Sequence, residues 1–200
     1  MSISNHLSID MVQPVNRLCS LNRGLVMWLL GVPGTMGGSR FIDLCNPGPG
    51  GNHGTLINAP SFVGDPQGMI GGDFNGSDQY IQTSYTTIHS TTTFATWLYM
   101  KSFSGNRVVW KTSSFNISAS VGGILIEHEF SGTDPSFNVT MDPYVDKWTH
   151  VVVSWDVTST ANMPSAVING VPQVVNIGVL PTGTASTSGD PWVFAGREIA

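Results

Sequence analysis

Charge is scarce in this chain: only 10% of its 200 residues are Asp, Glu, Lys or Arg, against about 25% in an ordinary soluble domain. Eight basic residues stand against 13 acidic ones, for a formal net charge of −5. No basic run occurs, so the phosphate neutralisation that nucleic-acid binding requires has no source. Cysteine is scarce too. Cys19 and Cys45 cannot build a disulfide framework, and neither belongs to a Cys-x-x-Cys or Cys/His metal spacing, so they read as thiols rather than a bridge. Long apolar runs are missing: Leu25 to Val32 falls far short of the ~18 residues that span a bilayer. Met1 to Leu21 lacks the basic stretch and long apolar stretch of a secretory leader, and no membrane insertion is expected. Helical periodicity is absent as well, because no segment holds a 3.6 period for three turns without meeting Gly, Pro or clustered Ser/Thr. There is no Gly-x-Ser-x-Gly elbow, Walker loop or His-Glu-x-x-His.

What is abundant is hydroxyl and turn chemistry. Ser and Thr fill 40 positions, and Gly and Pro contribute 23 and 12. Short strands separated by Gly, Pro, Asn or Asp predict an all-β protein, an antiparallel β-sandwich of jelly-roll type. The length suits one such domain, over residues 22–200, with residues 1–21 as an arm or linker. Thr93 to Met100 is apolar on both faces and is expected as a central strand. Trp148 to Val157 alternates, with Val151, Val153 and Trp155 on one face and Trp148, His150, Val152 and Ser154 on the other. Further strands are expected at Leu25 to Leu30, Thr55 to Ile57, Met69 to Phe74, Tyr80 to Gln82, Arg107 to Lys111, Asn116 to Ser120, Ile124 to Phe130, Phe137 to Met141, Ser165 to Ile168, Val171 to Val175 and Trp192 to Gly196. Asn169-Gly170 suits a type I′ hairpin turn. Pro33 to Gly54 reads as an irregular loop, either a binding loop or a crossing between sheets.

Seven short motifs occur in a telling order: Asn22-Arg23-Gly24-Leu25-Val26-Met27-Trp28; Asp43-Leu44 with Gly51-Asn52-His53-Gly54-Thr55-Leu56; Asp73-Phe74-Asn75-Gly76-Ser77-Asp78-Gln79-Tyr80-Ile81; Phe94-Ala95-Thr96-Trp97; Trp148 to Asp156; Val167 to Val171; and Phe194-Ala195-Gly196-Arg197. In this order they resemble the laminin-G-like branch of the concanavalin A-like lectin/glucanase superfamily. The resemblance implies a jelly roll of two curved sheets, used mostly as a non-catalytic recognition module for glycans or surface proteins. It also implies a final strand beyond Gly-Arg, whereas this sequence stops at Ala200: either the gene product is longer, or the arm of residues 1–21 or another subunit fills that lane. Strand addition at the edge left open is therefore expected, with homo-oligomers as one outcome. In many relatives calcium sits near the segment matched by Asp43, Asn52 and Gly54, which makes calcium the one cofactor to consider. Asp43 as a plain turn cap is the competing role.

Sugar binding calls for aromatic platforms beside amides and hydroxyls. Trp110, Tyr144, Trp148, His150 and Trp192, on mixed faces or loops, are the candidates. Catalysis is not expected. Glu127 and Glu129, two of only three glutamates, share one strand face, but they do not match the Glu-x-Asp-x-x-Glu pattern of the superfamily's retaining hydrolases. A lyase would need His128 and His150 on one surface with cations that are scarce here. The rival to a lectin is a structural virion protein, a phage decoration or fibre domain, which low charge, thiols and a hydroxyl-rich surface would suit.

Overall fold

The computed structural model describes residues 27, 29, 40–41, 43–46, 49–64, 70–101, 107–187 and 189–197. The proposed arm 1–21, Cys19 and most of Leu25 to Leu30 lie outside them. Among the described residues fifteen strands follow one another: β1 (Arg40–Phe41), β2 (Gly54–Ile57), β3 (Ser61–Gly64), β4 (Ile70–Asp73), β5 (Tyr80–Gln82), β6 (Thr91–Tyr99), β7 (Arg107–Lys111), β8 (Phe115–Ser120), β9 (Gly123–His128), β10 (Ser136–Thr140), β11 (Trp148–Asp156), β12 (Ser165–Ile168), β13 (Val171–Gln173), β14 (Asn176–Val179) and β15 (Val193–Arg197). They form an all-β sandwich. A nine-stranded sheet runs β1-β2-β5-β15-β7-β8-β9-β10-β14, a four-stranded sheet runs β13-β12-β11-β6, and β3 with β4 makes a separate hairpin. Every pairing is antiparallel.

Period-2 alternation explains how the sheets meet. On β11, Thr149, Val151, Val153 and Trp155 are buried while the residues between them are half-buried. They face Ile117, Ile124, Ile126, Phe137 and Val139 of the larger sheet across one continuous core. Aromatic rings fill its centre: Phe94 lies 4.9 Å from Phe115, 5.3 Å from Trp110 and 5.1 Å from Trp192 between ring centroids. The indole N–H of Trp155 donates to the Asn162 carbonyl and that of Trp192 to the Thr87 carbonyl, so these rings are buried without leaving a donor unmet.

The Asn169-Gly170 turn forms as its residues require. Both have positive φ, 50° and 81°, as a type I′ hairpin demands, and β12 and β13 leave it in register Ile168↔Val171. Two expectations need correction. The strand at Thr93 to Met100 is not central: β6 is the outermost member of the four-stranded sheet among the described residues. Its two apolar faces have different fates, since Phe94 and Leu98 pack on the core whereas Trp97 and Tyr99 point to solvent. Strands β1, β3 and β14 were not anticipated, because two residues in β1, and four interrupted by Gly in β3 and β14, give no readable alternation.

Candidate functional site

The five aromatic candidates separate into two groups. Trp110 and Trp192 are each 4% exposed and stack within the core, so they offer no face to a ligand. The reason is register: Trp110 pairs with Ile117 and Phe194, on the inward side of the nine-stranded sheet. Tyr144 closes a 3-10 turn (Asp142–Tyr144) and packs against the core edge, away from the strands. Trp148 and His150 do come together, on the outer face of β11.

That outer face holds a feature the candidate list missed. Antiparallel register sets Tyr99 opposite Trp148 and Trp97 opposite His150, so all four rings share one side of the sheet. The Trp97 and His150 rings lie 5.1 Å apart at 41°, and the Tyr99 and Trp148 rings 5.7 Å apart at 64°. Trp97 is 53% exposed and Tyr99 43%. Beyond the rings the same face continues through Ala95 and Val152 to Thr93 and Ser154, whose hydroxyls are 2.9 Å apart, and on to Asp156 opposite Thr91. From Trp148 to Asp156 this strip extends about 27 Å at the usual rise per strand residue.

Neighbouring elements hold the strip in place. The Asn169 side-chain oxygen accepts the His150 backbone N–H at 2.8 Å, which ties the middle of β11 to the hairpin turn. At the other end, β4 approaches so closely that a Cβ on Gly71 would come within 2.7 Å of the Trp148 ring. The Asp156 carboxyl sits below the usual carboxylate range, because the Thr158 hydroxyl and backbone N–H both donate to it. Lys101 at the end of β6 stands 3.8 Å from Asp73. The strip is thus aromatic and hydroxylic with little charge. Ring faces can stack on sugar C–H groups while hydroxyls exchange hydrogen bonds with sugar hydroxyls.

The residues that the resemblance associates with calcium are engaged with the backbone and with one another. Asp43 is fully buried, and its two carboxylate oxygens accept the backbone N–H groups of Cys45 at 2.9 Å and Asn52 at 3.3 Å. The Asp43 N–H in turn donates to Nδ1 of His53 at 3.1 Å. Gly54 is a packing residue, since a side chain there would strike Ile81 and crowd Phe41. Hard calcium wants six to eight oxygens. Among the described residues no group of three or more His, Cys, Asp or Glu is placed to hold a metal ion.

Other motif residues also have local duties. The Asn75 side-chain oxygen accepts backbone N–H groups from Ser77, Asp78 and Gln79, an Asx cradle that shapes the loop before β5. Glu127 accepts the Asn116 amide at 2.9 Å and Glu129 the Ser114 hydroxyl at 2.9 Å, so each carboxylate is engaged by its own neighbour. His128 and His150 do not share a surface: His128 is 3% exposed, ringed by Phe115, Phe130 and Trp155, while His150 faces outward. Burial pushes the His128 imidazole below its ordinary value, although its hydrogen bond to the Glu129 carbonyl and the nearby Glu129 and Asp134 carboxylates favour the proton. The cavity beside it, about 10 Å³, is too small for anything larger than one water.

No known family model matches the chain, and no curated protein matches it.

Proposed function

We propose that this protein is a non-catalytic recognition module that binds carbohydrate through the outer face of its four-stranded sheet. One observation carries the reading: the exposed rings of Trp97 and Tyr99, paired with the half-buried His150 and Trp148, continue along the same strands into a hydroxyl row. Aromatic side chains this exposed add little to a core, and exposed apolar patches mark interaction sites. One cation at its rim, Lys101, is next to Asp73. The laminin-G-like resemblance of the sequence supports the same class of function.

Binding of the purified chain to a glycan array, in calcium and in chelator, tests this. Saturable binding that Trp97→Ala abolishes, and that chelator leaves intact, is the expected result. Absence of binding to any glycan, or binding that survives Trp97→Ala and Trp148→Ala together, overturns it.

A second reading, a structural component of a particle such as a phage decoration or fibre domain, is favoured by a different surface. Val171, Val174, Ile177, Val179 and Leu180 are all exposed apolar residues within one short stretch. Assembly contacts would use such a surface, whereas glycan binding would not.

A further inference from the structure

Asparagine followed by glycine is chemically restless, because a residue without Cβ leaves its amide nitrogen unshielded beside the asparagine carboxamide. The sequence holds two such pairs, Asn75-Gly76 ahead of β5 and Asn169-Gly170 between β12 and β13. The fold treats them differently.

The Asn75 carboxamide is locked. Its Oδ1 accepts the N–H groups of Ser77, Asp78 and Gln79 at 2.9, 3.2 and 3.3 Å, and its Nδ2 donates to Asp78 Oδ1 at 2.8 Å. Gly76 is half-buried and crowded: a Cβ there would lie 2.9 Å from Nε of Arg107, whose guanidinium also donates to the Gly76 carbonyl. Turning this carboxamide onto the Gly76 nitrogen means giving up four hydrogen bonds.

The Asn169 carboxamide is held by one, the 2.8 Å bond from the His150 backbone N–H to Oδ1. Among the described residues neither its Nδ2 nor the Gly170 N–H has a partner. Both residues are exposed, and nothing lies within 4 Å of the place where a Gly170 Cβ would stand, so no neighbour hinders rotation at the tip. The single bond also helps the chemistry. A donor at Oδ1 makes Cγ more electrophilic and stabilises the negative charge that grows on the oxygen as a nucleophile adds.

We propose that Asn169 is a site of spontaneous isoaspartate formation in the folded chain, favoured over Asn75, and that the conversion releases His150 from the hairpin turn. The Gly170 nitrogen bonds to Asn169 Cγ and the Cγ–Nδ2 bond breaks. Nδ2 leaves as ammonia, taking the proton that the Gly170 nitrogen gives up, and a five-membered succinimide remains. Solvent water then opens one of its two carbonyls, giving aspartate or isoaspartate. Isoaspartate adds a carbon to the main chain between Ile168 and Val171, which a two-residue type I′ turn has no room for. The carbonyl that held the His150 N–H becomes part of the main chain, and the tie beneath the Trp97–His150 pair is lost.

Incubation of the full chain at mildly alkaline pH, followed by proteolytic peptide mapping with mass spectrometry and isoaspartyl methyltransferase labelling, tests this. The expected result is deamidation at residue 169 about tenfold or more faster than at residue 75, since three additional hydrogen bonds must break at Asn75. In denaturant, where neither carboxamide is held, the two rates should converge. The isoaspartyl form carries one more negative charge and can be separated by ion exchange; its His150 amide should exchange hydrogen faster than in the unmodified chain. An Asn169 that stays intact in the folded chain, or equal rates at the two pairs there, overturns the site. A rate difference that persists in denaturant overturns the structural cause, and unchanged exchange at His150 overturns the release.

Discussion

The inner and outer faces of β6 and β11 use aromatic residues to opposite ends. The same two strands, joined by the same ladder, send Phe94 and Trp155 inward and Trp97, Tyr99, Trp148 and His150 outward. Both inner rings pack on Phe115, and the Trp155 N–H donates to the Asn162 carbonyl. The outer rings pair across strands, with Trp97 and Tyr99 largely in solvent and Trp148 and His150 half-buried. A single residue of register separates a side chain that holds the sheets together from one that can be deleted without a cavity. Aromatic content therefore says little about function until the register is known.

This division can be tested by substitutions of decreasing consequence. Trp155→Ala, inside, should cost about 3–5 kcal/mol of stability by leaving a cavity, as read by denaturant unfolding. If its cost were near zero, the inner group would not be the core. Trp97→Ala, outside, should change stability by only about 0.5 kcal/mol, while glycan affinity falls at least tenfold, about 1.4 kcal/mol or more. A large loss of stability here would mean that the outer group is structural. His128 sharpens the contrast through pH. Burial makes its imidazole harder to protonate in the folded chain than in the unfolded chain, where it takes up a proton at the ordinary value of 6.5. Stability should therefore be complete above that pH and fall below it, by up to about 1.4 kcal/mol per pH unit. His128→Leu should flatten that part of the profile; a slope of equal size in the variant would assign it to other groups. Gly170→Ala, at φ 81° with open space around it, should cost about 1 kcal/mol through the backbone alone and loosen the turn that ties down His150. Lys101→Ala should be the mildest, below about 0.5 kcal/mol, since the pair with Asp73 is exposed.

Much of the fold was legible because strands announce themselves by alternation. Tyr80–Gln82, Arg107–Lys111 and Ser165–Ile168 occur at the expected bounds, and the Asn169-Gly170 turn has the expected conformation. The site was less legible. Trp148 and His150 could be placed on one face from β11 alone, but Trp97 and Tyr99 join them only through pairing with β6, which no local pattern encodes. Trp110 and Trp192 misled for the complementary reason. Lys111 follows Trp110 and Asp190 lies two residues before Trp192, yet long-range hydrogen bonding of the backbone at each position places both rings in the core. Asp43 and Gly54 had two roles open to them, and hydrogen bonding and packing account for both residues.

One strand governs how the chain must acquire its structure in time. β15 lies between β5 and β7, with Phe194 paired to Ile81 on one side and Trp110 on the other. Without it the nine-stranded sheet is two unconnected pieces, β1-β2-β5 and β7-β8-β9-β10-β14. A growing chain can therefore form local hairpins such as β8-β9 early, but both edges of that gap stay unsatisfied until Val193–Arg197 leaves the ribosome. Loop closure over more than a hundred residues then has to come before the ladder forms, which makes folding slow and late. During synthesis the exposed edges of β5 and β7 are the places where a chaperone would be needed.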